Sequence, residues 1–323
     1  MNLLEVKNLS VKYGSGQGGV LAVEGVDLSV GVGEFVGLAG ESGCGKTTLA
    51  MAIPNLLPKY ASITSGTIEF DGQELTSKSE SELNEVRWRD ISVIFQGALN
   101  ALNPVATIGH QIAEPILIHE PGTSHDVALV RAKELLEAVG ISANRAGSFS
   151  HEFSGGMRQR VMIAMSLACR PKLVIADEPI TALDVMTQAQ ILELLRSLSK
   201  SFNLSMLLIS HDLSVLAETC DRVQIMYAGK VAEVGTAEDV FGKQNSAHPY
   251  TQRLLTSYPN IHQERKFIDG IPGYPPDLSK PQAGCRFAAR CNLVMEKCFT
   301  DEPALIEISP LHKSACHLAG GIK

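Results

Sequence analysis

The chain has 323 residues, 45% of them hydrophobic and 20% charged, with a formal net charge of −7. That length allows a substantial core and two domains, and the acidic balance, with no Lys/Arg block, excludes a broad basic face for nucleic acid. No apolar run reaches membrane-spanning length, Val161 to Cys169 and Met206 to Ile209 being too short, and Met1 to Lys7 lacks the basic-then-apolar layout of a secretory leader; the chain is expected to stay in the cytosol and to meet a membrane only by docking onto other subunits.

In chain order, Leu3 to Tyr13 and Val20 to Val30 read as an antiparallel pair around a glycine-rich turn, Gly14 to Gly19. Tyr13 ends its strand just before the next motif. That position suits an aromatic that stacks on a base, and equally an ordinary strand-end tyrosine. Glu34 to Ala39 is a buried strand, and Thr48 to Leu57 reads as a helix. Between them, Gly40 to Thr48 matches G-x-x-x-x-G-K-[ST] at every fixed position. The glycines let successive backbone N–H groups converge on one point. Lys46 then reaches the β- and γ-phosphates of a nucleotide, and the Thr47 hydroxyl sits on Mg²⁺.

Strand and helix patterns alternate beyond this loop. Thr67 to Phe70 is a strand, Ser79 to Arg89 a helix, and Ile91 to Phe95 a strand ending at Gln96. From about Ala98 to Ala164 the texture is helical, including an amphipathic stretch from Asp126 to the stop at Gly140. Arg158 to Ala168 is a helix ended by Pro171. Lys172 to Glu178 is an apolar strand tipped by two carboxylates, Thr187 to Lys200 a helix, and Ser205 to Ser210 a strand leading to His211. A strand pair, Arg222 to Tyr227 and Lys230 to Val234, turns at Ala228-Gly229. The alternation predicts an α/β phosphate-loop core with a mixed, mostly parallel sheet, an antiparallel β subdomain and a helical insertion. From about Phe241 proline becomes frequent and periodicity is lost, which marks a small appended domain.

Several side chains carry chemistry. Asp177 is placed to hold Mg²⁺ and Glu178 to polarise an attacking water, since phosphoryl transfer needs charge compensation and an in-line nucleophile. Gln96, at a strand end, can touch metal and report nucleotide state, or be a surface glutamine. His211 can bond a γ-phosphate or be structural. Ser154 is a good N-cap, and Gly155-Gly156 exposes N–H groups at a helix start, a second anion site by the same physics. Two such sites in one chain suggest a head-to-tail dimer in which each copy caps its partner's nucleotide.

These pieces together resemble an ATP-binding-cassette ATPase over residues 1 to about 240. The phosphate loop, Gln96, Ser154-Gly155-Gly156-Met157-Arg158, Leu173 to Glu178, Thr181-Ala182-Leu183-Asp184 and His211 stand in that family's order. The resemblance implies ATP held by Tyr13, Ser42, Gly43, Cys44, Gly45, Lys46, Thr47 and Thr48. It implies Mg²⁺ at Thr47, Gln96 and Asp177, hydrolysis by Glu178 with His211 and Gln96, and Ser154, Gly155, Gly156 and Asp184 acting on the partner's nucleotide. Met157 departs from the family's usual glutamine and Ile180 from a smaller or polar residue. Neither removes a phosphate or metal ligand.

The tail, about 241 to 323, carries Cys285, Cys291, Cys298 and Cys316 in the spacing C-x5-C-x6-C-x17-C. Four thiolates suit an iron–sulfur cluster or tetrahedral zinc. This tail, with Ser246 to Thr251 and Asp184 to Gln190, is similar to the ATPase subunits of oligopeptide, dipeptide and nickel importers. That resemblance implies a [4Fe–4S] cluster on the four cysteines, with zinc second. It also implies a related second cassette, two transmembrane permease subunits, an extracytoplasmic binding protein and a place at the cytoplasmic face of the membrane. Peptides are the expected cargo, with nickel chelates or oligosaccharides served by the same ATPase type. A soluble cassette acting on nucleic acid or ribosomes is the reading from another class.

Overall fold

A computed structural model of the chain describes residues 2–14, 19–97, 101–242, 246–257, 270–280 and 282–319. In order its elements are β1 (Asn2–Tyr13), β2 (Val20–Gly31), β3 (Phe35–Ala39), α1 (Lys46–Ala52), β4 (Ala61–Phe70), β5 (Gln73–Glu74), α2 (Glu80–Val86) and β6 (Ile91–Ile94). Then come α3 (Ile108–His119), α4 (His125–Ala138), α5 (Gly155–Ser166), β7 (Leu173–Asp177), α6 (Val185–Phe202), β8 (Ser205–Ile209) and α7 (Leu213–Thr219). The chain closes with β9 (Arg222–Tyr227), β10 (Lys230–Thr236), α8 (Ala237–Phe241), α9 (Pro249–Thr256), β11 (Ile306–Ser309) and β12 (His312–Ser314). Most of the Gly14 to Gly19 turn and the start of the insertion at Ala98 lie outside the described residues.

Two compact units form. The first is built mainly from Ser77–Ile209. Its strands β6, β7 and β8 are parallel neighbours, with Ile175 opposite both Val93 and Leu207. Every residue of β7 and β8 is buried, which is why both read as continuous apolar runs rather than alternating ones. The helical insertion belongs to this unit. Arg131 ties its helices together, pairing with Glu120 at 2.5 Å and donating to Ala168 O at 2.8 Å. Arg160 of α5 donates to Val139 O at the end of α4, satisfying a carbonyl that the helix cannot.

The second unit comprises Leu4–Ser29, Val36–Thr76 and Ser210–Lys323. In it β1 runs antiparallel to β4, and β4 to β5; β2 is the other neighbour of β1. This is the antiparallel subdomain. Its second layer has β3 parallel to β9, then β10 and β12 antiparallel, with β11 at the edge. The tail does not separate near 240. Instead β12 adds to β10, with Glu233 opposite Ser314, so backbone pairing carries the proline-rich region into the phosphate-loop unit. Helix α1 stops at Ala52, earlier than expected, and Asn55 is left-handed at φ 53°.

No helix among the described residues is long and apolar enough to cross a membrane.

Candidate nucleotide and cysteine sites

The phosphate loop follows the fully buried β3. Gly40, Gly43 and Gly45 all have positive φ. A Cβ at Gly40 would lie 2.1 Å from Met226 O, and one at Gly45 would lie 2.4 Å from Ala22 O. Backbone cannot yield there, so both positions require glycine. At Gly43 an added Cβ would meet nothing within 4 Å. The loop is thus walled at Gly40 and Gly45 and open at Gly43, where Ser42, Gly43 and Thr47 are exposed. Cys44 and Thr48 are buried, and burial pushes the Cys44 thiol up. The turn at Ala228-Gly229, both left-handed, braces the loop from β9–β10: Gly229 N donates to Cys44 O at 2.9 Å.

Lys46 is buried, and its Nζ donates to Gly40 O at 2.7 Å and Glu41 O at 3.1 Å. Tyr13 Oη lies 3.0 Å from Thr48 Oγ1, which brings the candidate stacking aromatic beside the loop's helix. An open, glycine-lined loop with an ammonium folded across it fits a polyphosphate.

In the other unit, β7 delivers Asp177, which is buried, and Glu178 just past the strand. Glu178 N still pairs with Ile209 O at 3.0 Å, but its φ is +47°. A glutamate in that region is strained, and such strain concentrates at functional positions. Gln96 Nε2 donates to Glu178 Oε2 at 2.9 Å, and Thr181 Oγ1 donates to the same oxygen at 3.0 Å. The residue expected at the metal therefore holds the carboxylate expected to act on water. His211 is exposed after β8.

The second glycine site is also assembled within this unit. Ser154 caps α5 through Met157 N at 3.4 Å. Asp184 caps α6, accepting from Thr187 N at 3.0 Å and Thr187 Oγ1 at 2.7 Å. Those bonds hold the Asp184 carboxyl below its ordinary range. A Cβ at Gly156 would meet Thr187 Cγ2 at 2.6 Å. Thr187 thus joins Gly156 to Asp184, a link the sequence reading missed, although an aspartate three residues before a threonine at a helix start is a readable cap signal.

In the tail, Cys285, Cys291, Cys298 and Cys316 line one small cavity with Phe287, Leu293, Met295 and Leu318. Leu293 N donates to Cys291 Sγ at 3.3 Å and Leu318 N to Cys316 Sγ at 3.5 Å. Burial raises Cys285 to about 11 and lifts Cys291 and Cys316 as well. Among the described residues, no group of three or more His, Cys, Asp or Glu is spaced to hold a metal ion. As they stand, the four cysteines are not spaced as a metal cage for zinc or for any other ion. The four sulfurs share the lining of one cavity, and two of them receive backbone N–H groups.

The model of the family "ABC transporter" matches residues 23–181, and that of "Oligopeptide/dipeptide transporter, C-terminal region" matches 232–298. The chain is 45% identical to the oligopeptide transport ATP-binding protein OppD of Bacillus subtilis over 314 residues, covering 96% of this chain and 87% of that protein. It is 44% identical to the dipeptide transport ATP-binding protein DppD of the same organism, covering 98% and 94%. Among solved structures it is similar to the ATP-binding cassette MJ0796, determined as a dimer in a post-hydrolysis state with ADP and Pi. The TM-score is 0.65 at 29% identity, covering 72% of this chain and 98% of that one. With that fold and that degree of identity along nearly its whole length, the chain belongs to the ATP-binding subunits of ABC transporters of the oligopeptide/dipeptide family.

Proposed function

We propose that this chain is the ATP-hydrolysing subunit of a bacterial importer of di- and oligopeptides, working at the cytoplasmic face of the membrane. The observation that carries this is near-full-length identity to OppD and DppD, including the peptide-type C-terminal region. Its partners are a second, related cassette, two transmembrane permease subunits and an extracytoplasmic binding protein. Nickel chelates or oligosaccharides are the alternative cargo. A nucleic-acid or ribosome role is disfavoured by the net charge of −7 and by the peptide-type tail.

In this reading Ser42, Gly43, Cys44, Gly45, Lys46, Thr47 and Thr48 bind the phosphates, and Tyr13 stacks on adenine. Thr47, Asp177 and Gln96 would hold Mg²⁺, which supplies charge compensation on the phosphate oxygens. Glu178 takes the proton of the attacking water, Gln96 and Thr181 orient its carboxylate, and His211 bonds the γ-phosphate. Ser154, Gly155, Gly156 and Asp184 close over the partner's nucleotide. Exposure of Ser154, Val185 and Met186 supports a partner-facing edge. Cys285, Cys291, Cys298 and Cys316 would hold a [4Fe–4S] cluster, which would staple the tail. The shared cavity supports a common role for the four cysteines, and zinc is the alternative.

The test is affinity purification of the tagged chain from membranes, followed by uptake assays in vesicles. Two membrane subunits should co-purify, and ATP should drive uptake of di- or oligopeptides when the binding protein is added. Purification with RNA or DNA and without membrane subunits overturns the reading.

A further inference from the structure

Glu41, the second residue of the phosphate loop, is gripped by the C-terminal region. Arg290 Nη1 donates to Glu41 Oε2 at 2.6 Å and Nη2 to Oε1 at 2.9 Å, a bidentate pair. Glu41 N donates to Tyr250 Oη at 2.8 Å. Glu41 O in turn accepts from Lys46 Nζ, so the residue held by the tail also holds the loop's lysine.

The grip is rigid. Arg290 is buried, and its remaining hydrogen bonds go to Pro272 O at 2.9 Å, Ile271 O at 3.1 Å and Tyr227 Oη at 3.1 Å. Tyr250 is fully buried against Tyr227 and Phe287, with ring centroids 4.6 and 5.3 Å away. A buried ion pair contributes little net stability compared with apolar packing. What this pair does is fix one carboxylate. A glutamate beside a polyphosphate site is a like charge, and like charges brought together repel. Arg290 pairs with both oxygens of that carboxylate and so offsets its charge.

We propose that Arg290 and Tyr250 are positioning residues of the phosphate loop: they hold Glu41 so that its charge stays out of the anion site and Lys46 stays aimed across it. The proposal rests on the loop binding ATP, as inferred above.

The experiment measures MgATP binding and thermal stability for wild type, R290Q, E41Q/R290Q and Y250F, each as the full chain. R290Q should bind MgATP about tenfold more weakly or worse, and this loss should shrink in high salt, because a released surface charge is screened. E41Q/R290Q should recover to within about threefold of wild type, since no stray carboxylate remains. Y250F keeps the buried ring and should weaken MgATP a few-fold with little change in melting temperature. R290Q binding like wild type overturns the proposal. So does a double variant as weak as R290Q, which would make the pair a tail anchor only. If R290Q does not fold, Y250F decides: unchanged MgATP affinity overturns the proposal. Wild-type protein that binds no MgATP removes the reading of the loop itself, a distinct outcome.

Discussion

Gln96 donates to Glu178 across 2.9 Å, joining the end of β6 to the end of β7. Thr181 donates to the same carboxylate oxygen, so Glu178 is oriented from two sides. Glu178→Gln should lower ATP turnover about 10³-fold while MgATP binding is retained, the range for loss of a general base. Gln96→Ala leaves the base in place and should lower kcat by about tenfold, with a rise in the KM for MgATP from the lost Mg²⁺ ligand. Steady-state hydrolysis together with equilibrium nucleotide binding checks both, and near-normal turnover of the glutamine variant removes Glu178 from this role.

Gly156 and Thr187 are in close apposition, an added Cβ lying 2.6 Å from Thr187 Cγ2. Gly156→Ala should push Thr187 off Asp184 and destabilise the start of α6 by about 1–3 kcal/mol, as overpacking does. Thr187→Ser removes that methyl and keeps the hydroxyl that bonds Asp184. The G156A/T187S double variant should therefore regain most of the hydrolysis lost by G156A. A double variant no better than the single one would show that Thr187 is not the obstacle.

For the cysteine cage, protein purified without oxygen should be brown and carry about four irons per chain. Cys291→Ser should lose the colour and lower the melting temperature. Metal analysis that finds one zinc and no iron rejects the cluster.

The tail also carries a pH-sensitive contact. His312 Nε2 lies 2.7 Å from Glu233 Oε1, both side chains buried, and Asp239 adds to the negative field. Glu233 further accepts from Ala247 N at 2.7 Å and His248 N at 3.0 Å. The hydrogen bond to Glu233 raises the His312 pKa above 6.5. Stability from the charged pair is thus fully present below about pH 6.5, the unfolded value, and is lost as pH rises through the folded one. A charge-assisted bond of this kind contributes about 2 kcal/mol. Against His312→Gln, wild type should melt higher at pH 6, and the gap should narrow by pH 9. A gap constant with pH would contradict a charged His312.

Where burial is two-sided, the sequence spoke clearly. The runs at β7 and β8 are wholly apolar because both faces are covered, and Asp177-Glu178 stood out by contrast. The phosphate loop was legible because only glycine tolerates its backbone at Gly40 and Gly45. Edge elements were not. β4 begins at Ala61 rather than Thr67, since its first half is largely solvent-facing and polar. β11 is mostly exposed, so pairing rather than pattern makes it a strand. Asp184 was legible as a family motif, but the cap that fixes it depends on a helix starting at Val185 rather than Thr187. The grip on Glu41 left no local signal, because Arg290 lies 249 positions away.

That separation bears on how the protein is made. The phosphate loop leaves the ribosome first, whereas the contact that settles Glu41 waits for Arg290, 249 residues later. A nascent chain, or one clipped before Arg290, carries every nucleotide-binding motif and still cannot make the contact. Translation order thereby makes the Glu41–Arg290 pair the mark of a chain that has also built its tail.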